Sequence, residues 1–308
     1  MIVQDIIHDT RDGNQLRYVI ERTTNPVATV VFLNGSFFNY HQWDLLVSRV
    51  SRKARSTGML VDLLLMDYRG FSTARPLVTP FSFDTIKGDV VEILDRETVT
   101  SPIILVGASL GSLLGLALLA DQPRRFSTLV AYGFAAPVGD LVRHVRGIFV
   151  ETRNHLARNP AYLASRQGRL DAAIIKPVAR ALWDIFVIEH SRTPDSVKAR
   201  GFTDAYGSFI LKYMAGTPVS TIDAFLDHFT GDSSMEKFDA TPLTEDVLAK
   251  VAIFQGEDDL VTPFPLVDRF SRDHGIRLKS FTKKGHTDYM LDGPICDAMA
   301  GAILEGRE

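Results

Sequence analysis

The stretch IILVGASLGSLLGLALLAD, residues 103 to 121, constrains the fold more than any other part of the chain. Its first six residues suit a strand buried on both faces and its last twelve suit a buried helix, with only Ser109 between them. The wider segment Ser101 to Ala120 carries no charge and approaches the length of a membrane span, but Gly107, Gly111 and Gly115 interrupt it. A strand turning sharply into a helix is the better reading, and no stable membrane insertion is expected.

The same alternation continues on both sides of this segment. Asp12-Gly13-Asn14 between two mixed apolar stretches predicts a β-hairpin, and ATVVFLN (28 to 34) predicts a strand covered on both faces. Trp43, Leu46, Val47 and Val50 then stand at helical spacing, MLVDLLLMD (59 to 67) reads as a strand, and Phe83 to Glu97 as a helix. TLVAYG (128 to 133), VAIFQG (251 to 256) and RLKSFT (277 to 282) supply further strands, with helices near Pro265 to Asp273 and from about Pro294. Such repetition predicts an α/β fold with a mostly parallel central sheet and helices on both faces. From Pro137 to Asp246 there is helical periodicity without a convincing strand, which predicts an inserted all-helical cap. Its helices are expected over 138 to 158, 171 to 190, 194 to 214 and 218 to 229, Trp183, Phe186, Val187 and His190 marking one buried face. The division is therefore a core of residues 1–136 and 247–308 and a cap of residues 137–246.

Composition narrows the partners. With 34 basic and 37 acidic residues among 308, the net charge of −3 argues against nucleic acid and against a charged membrane surface, leaving small molecules as the expected ligands. One cysteine, Cys296, excludes an internal disulfide framework, and MIVQDIIHDTRDG lacks the basic start and apolar run of a signal peptide, so a cytoplasmic location is expected. No two histidines stand four apart and no dinucleotide fingerprint occurs, so neither metal nor cofactor is expected.

Gly107-Ala108-Ser109-Leu110-Gly111 matches G-x-S-x-G directly between strand and helix. A serine projected from so sharp a turn has strained backbone angles and is crowded by the residues two before and two after it, where this chain has glycines. The Leu110 N–H, opening the helix, can face a developing oxyanion, which the helix dipole also favours. A glycine-rich turn used only for close packing is the alternative. Serine becomes a competent nucleophile when an imidazole takes its proton and a carboxylate fixes the imidazole tautomer.

On these residues the chain resembles the α/β-hydrolase superfamily, in which nucleophile, acid and histidine follow one another along the chain at the ends of successive strands. Gly256-Glu257-Asp258-Asp259 is similar to the family's Gly-x-x-Asp turn, and Lys284-Gly285-His286-Thr287 to its Gly-His segment. The resemblance assigns the acid role to Asp259 and the base role to His286, with Asp258 as rival if the turn is offset by one. Leu33-Asn34-Gly35-Ser36-Phe37-Phe38-Asn39 stands where the family carries His-Gly and an oxyanion-hole residue. Asparagine replaces the histidine here, and by position Ser36 supplies the second backbone donor beside Leu110. Phe37 and Phe38 are expected to face the pocket or brace the loop, and Phe37 and Val261 are the candidate substrate contacts. Asp67-Tyr68-Arg69-Gly70 looks like the family's Asp-x-Arg-Gly turn, the glycine for the bend and the charged pair for holding the loop. The resemblance implies cleavage of a carboxylic ester or thioester of a hydrophobic small molecule through an acyl-serine. Two alternatives stand beside it: transfer of a (hydroxy)acyl group, free or carrier-bound, to an alcohol or amine, and a small-ligand binding protein with a vestigial triad. Epoxide hydrolase and haloalkane dehalogenase chemistry is disfavoured, because those relatives have aspartate in place of Ser109.

Overall fold

In the computed structural model of the chain the described residues are 2–71, 75, 77–135, 137, 139–164, 217–231 and 243–305. A hairpin comes first, β1 (Ile2–Asp9) running antiparallel to β2 (Gln15–Arg22), with Gly13 at φ 87° in the turn. There follow β3 (Ala28–Leu33), a 3-10 turn (Tyr40–Trp43), α1 (Asp44–Thr57), β4 (Val61–Met66) and α2 (Phe83–Arg96). Next are β5 (Ile103–Ala108), α3 (Leu110–Asp121) and β6 (Phe126–Tyr132). Four helices are described between β6 and the next strand: α4 (Gly139–Leu156), α5 (Pro160–Ala164), α6 (Val219–Thr230) and α7 (Glu245–Leu248). The fold closes with β7 (Val251–Gly256), α8 (Phe264–Asp273), β8 (Arg277–Phe281) and α9 (Gly293–Glu305).

All eight strands form one sheet in the order β1-β2-β4-β3-β5-β6-β7-β8, and every pairing from β4 to β8 is parallel. Every residue of β3, β4 and β7 is buried, which is why those strands read as apolar runs interrupted only by Thr29, Asp62 and Gln255. In α1, Leu46, Val50 and Ala54 recur every fourth residue and bury one stripe. The α3 helix has no such stripe, since all but its last two residues are buried, and this accounts for the membrane-like hydropathy of its sequence. Among the described residues no helix is long and apolar enough to cross a membrane. One core cluster packs α2, α3, α8 and the aromatics of α4 and α6 against the sheet, while α1, α9 and Trp43 fill the other face. A reciprocal cap opens α2: Ser82 Oγ accepts the Thr85 N–H at 3.0 Å and Thr85 Oγ1 accepts the Ser82 N–H at 2.9 Å, an arrangement worth about 1 kcal/mol.

The helical layer is built on aromatic contact. Phe149 of α4 stacks on Phe229 of α6 at 5.4 Å between centroids, and Arg153 pairs with Asp227 at 2.6 Å. Two histidines fasten this layer to the core: His144 Nε2 donates to the Leu260 carbonyl at 2.7 Å, and His228 Nε2 accepts the Phe83 N–H at 3.1 Å. The first and last expected cap helices correspond to α4 and α6 within a few residues. Those over 171 to 190 and 194 to 214, with Trp183, Phe186, Val187 and His190, lie outside the described residues. Pro160 is the first residue of the short α5, a position that needs no N–H donor. The α7 helix spans the expected boundary at residue 246.

Asp67 and Arg69 each bond to other parts of the core. The Arg69 guanidinium makes a fork onto Asp89, at 2.8 and 2.5 Å, and reaches Asp12 at 2.6 Å. Such a two-carboxylate arrangement offers more charge-assisted bonds than a single neighbour could. Burial holds the Asp89 carboxyl above the usual carboxylate range despite Arg69, whereas at Asp12 bonds from Thr10, Arg69, Thr79 and Asn14 outweigh burial and depress it. Asp67 Oδ1 instead accepts the Tyr40 N–H at 2.6 Å, steadying the loop after β3.

Candidate active site

The parallel strands β3, β5, β6, β7 and β8 send their C-terminal ends to one edge of the sheet, where α/β proteins place their ligands. Leu33 lies opposite Gly107, Ala108 opposite Tyr132, and Gly256 opposite Phe281, so the loops bearing Ser36, Ser109, Gly133, Asp259 and His286 emerge side by side.

Ser109 has φ 51° and ψ −116°, a left-handed-side conformation that a non-glycine residue adopts only when its surroundings force it. The force is steric. A Cβ on Gly107 would come within 2.3 Å of the Gly111 carbonyl oxygen, and one on Gly111 within 2.0 Å of the Leu33 carbonyl oxygen. The Ser109 N–H donates to the Tyr132 carbonyl at 3.0 Å, and the Ser109 carbonyl accepts the Ser112 hydroxyl at 2.6 Å. Ser112 Oγ in turn accepts the Ala135 N–H at 3.0 Å. The serine is thus held through its backbone, with its hydroxyl left to the cavity.

Asp259 and His286 meet as the resemblance implied, the imidazole Nδ1 lying 2.8 Å from Asp259 Oδ2. It is Asp259 and not Asp258 that makes this contact. Oδ1 of Asp259 accepts the Val261 and Thr262 N–H groups, both at 2.9 Å, and Oδ2 also accepts Gln255 Nε2 and Thr262 Oγ1, both at 2.8 Å. Five bonds fix a carboxylate that is only 1% exposed. The Nδ1 proton therefore belongs to the Asp259 bond, leaving Nε2 of the neutral ring as acceptor. The imidazole packs on Gly133, where a Cβ would lie 2.9 Å from its Cε1. Gly133 directly follows Tyr132, whose carbonyl holds Ser109. No hydrogen bond joins Ser109 Oγ to His286 in this structure, a contact that in hydrolytic sites commonly tightens when substrate arrives. The histidine loop is itself clamped: Gly285 N–H donates to Asp288 Oδ2 at 2.6 Å and the Gly285 carbonyl accepts the Tyr132 hydroxyl at 2.8 Å.

Asn34, in the position where histidine was replaced, is fully buried and bonded. Its amide donates to the Met66 carbonyl at 2.8 Å and its oxygen accepts the Trp43 indole N–H at 3.0 Å. Gln42 Oε1 accepts the Gly35 N–H at 3.1 Å and the Tyr289 hydroxyl at 2.5 Å. These bonds set the loop that brings Ser36 to the cavity. Ser36, Ser109 and Leu110 line a small cavity of about 20 Å³, whose other described walls are Leu113, Ala135, Leu141, Val142, Val145, Phe149 and Phe229. Phe37 and Val261 are not among these described walls: Phe37 packs against Phe225 at 4.7 Å and against the wall residue Phe149 at 6.3 Å, and Val261 against Ile148. Sequence reasoning missed Gln42, Gln255, Thr262 and Ser112. Only Ser112, a hydroxyl in the first turn after the serine, had a local signal; the others are recognisable only by what they touch.

The sequence model of the alpha/beta hydrolase family matches residues 30–294. No curated protein matches the chain. Among solved structures, an α/β-hydrolase enzyme from a Medee basin deep-sea metagenome library is similar at TM-score 0.70 and 17% identity, with 98% of each chain covered. The enol-lactonase from Burkholderia xenovorans LB400 is similar at TM-score 0.68 and 16% identity, over 97% of this chain and 98% of that one. A hydrolase from Pseudomonas aeruginosa PA01 is similar at 0.65 and 18%, over 97% and 98%. At such identities the likeness speaks for the fold. Because the family match runs from β3 into α9 and so takes in the serine, aspartate and histidine loops, the chain belongs to the alpha/beta hydrolase family.

Proposed function

We propose that the chain is a serine hydrolase cleaving a carboxylic ester or thioester of a hydrophobic small molecule through an acyl-enzyme on Ser109. The observation that carries this reading is the Asp259–His286 pair, at 2.8 Å, set beside a serine on a strained turn. His286 Nε2 takes the Ser109 proton as Oγ attacks the carbonyl carbon, and Asp259 stabilises the imidazolium through Nδ1. The carbonyl oxygen, now negative, accepts the N–H groups of Leu110 and Ser36; Leu110 opens α3, so its N–H has no partner within the helix. His286 then protonates the departing alcohol or thiol, and water repeats the sequence to release the acid and restore Ser109. The apolar described walls around Ser109 favour a hydrophobic acyl group, which gains about 25 cal/mol for each Å² it buries. Residues 1–136 and 247–308 form the catalytic core in this reading, and 137–246 the cap that shapes the chamber.

A fluorophosphonate probe is expected to label Ser109, and Ser109→Ala is expected to abolish labelling and lower activated-ester turnover by roughly 10³-fold or more. Labelling at another residue, or turnover surviving Ser109→Ala, overturns the reading. Incubation with competing alcohols and amines separates hydrolysis from acyl transfer by its products.

A further inference from the structure

The loop that carries Ser36 contains an anomaly. Phe38 N–H donates to the Gly35 carbonyl at 3.4 Å, closing a four-residue turn whose third residue, Phe37, has φ 67°. A turn with positive φ at its third position calls for glycine or asparagine, because a Cβ there is strained. For a bulky aromatic residue the conformation is an outlier that some outside contact must hold. The contact is visible. The Phe37 ring is 4% exposed and lies 4.7 Å from Phe225 of α6 and 6.3 Å from Phe149 of α4, both belonging to the helical layer.

We propose that Phe37 is a positioning residue: the grip of Phe225 and Phe149 on its ring holds the Gly35–Phe38 turn in the left-handed form that presents Ser36 to the Ser109 cavity. The oxyanion side of the site is then assembled by the cap. On the opposite side of the turn Gln42 secures Gly35, so the ring is the anchor at one end and a core hydrogen bond the anchor at the other. Without the ring, an L-residue at position 37 relaxes to negative φ and turns the peptide groups next to Ser36 away from the carbonyl oxygen. The inference rests on the acyl-serine reading above.

Comparison of Phe37→Ala with Phe37→Gly tests it, since both remove the ring but only glycine accepts φ 67° without strain. With an activated ester, Phe37→Ala is expected to lower kcat by between about tenfold and the roughly hundredfold cost of losing an oxyanion donor, with KM little changed. Phe37→Gly should recover most of that loss. Phe225→Leu, which loosens the grip, should lower kcat in the wild-type background and have little effect alongside Phe37→Gly. Thermal unfolding of each variant verifies that it is folded. If glycine is as damaging as alanine, or if the loss lies in KM, the ring serves substrate contact or packing and the proposal is overturned. Absence of Ser109 labelling in the wild type is a different outcome and rejects the acyl-serine reading itself.

Discussion

The serine turn and the acid–histidine limb lie at one edge of the sheet but are held by different physics. Around Ser109 the restraint is repulsive: Gly107 and Gly111 leave no room for a Cβ, and the backbone has nowhere else to go. Around His286 the restraint is attractive, a set of hydrogen bonds running from Gln255 and Thr262 through Asp259 to the imidazole. A steric restraint fails abruptly when an atom is added, whereas a bonded network loses its grip one contact at a time. The two sides should therefore respond differently to substitution.

The sharpest test of that contrast is Gly111→Ala, whose new methyl would sit 2.0 Å from a core carbonyl oxygen. It should exceed the roughly 1–3 kcal/mol usual for overpacking and yield little folded protein, as read by denaturant unfolding. Asp259→Asn should leave the fold intact yet lower kcat by about 10⁴-fold, the cost of a wrong imidazole tautomer in comparable triads. Thr262→Val removes one of five bonds to Asp259 and keeps the backbone donor from the same residue. We expect a fall in kcat of about tenfold and a stability loss of about 1 kcal/mol. An all-or-none loss there would erase the distinction between the two sides.

Asp288, which clamps Gly285 in the histidine loop, gives a pH-dependent test. Burial raises its carboxyl above the ordinary 3.8, although the Gly285 N–H and Lys284 oppose this. The folded chain thus binds that proton more tightly than the unfolded chain, and its share of stability falls as pH rises from 3.8 through the raised value. Asp288→Asn keeps an oxygen for the Gly285 N–H and should flatten this part of the stability–pH curve. Persistence of the slope would assign it to another group. Asp258→Asn, which alters the neighbour of the bonded carboxylate, should change kcat by less than about twofold; a loss like that of Asp259→Asn would show that the two residues had exchanged places.

The strands were legible because strands covered on both faces are dominated by apolar residues, and β3, β4 and β7 each carry a single polar side chain, Thr29, Asp62 and Gln255. The serine turn was legible because its steric demand is met by glycine at fixed spacing. Pairings between distant polar residues were not. Asp89 and Asp12, brought in by α2 and the first hairpin, take the Arg69 guanidinium, and nothing near Arg69 in the sequence names them. Nothing in the spacing of Gln255 and Thr262 announces that both point at one carboxylate oxygen.

By itself the sequence determined the alternation of strand and helix, the position of the sharp turn and the chain order of serine, aspartate and histidine. These follow from burial periodicity and from the few residues that tolerate a strained backbone, both of which are local. Tertiary structure alone decided which of two adjacent aspartates touches the imidazole, and that the Phe37 ring packs into the helical layer. Those outcomes depend on the direction of side chains across strand ends and layers, which is set only when the sheet and the helices over it have packed.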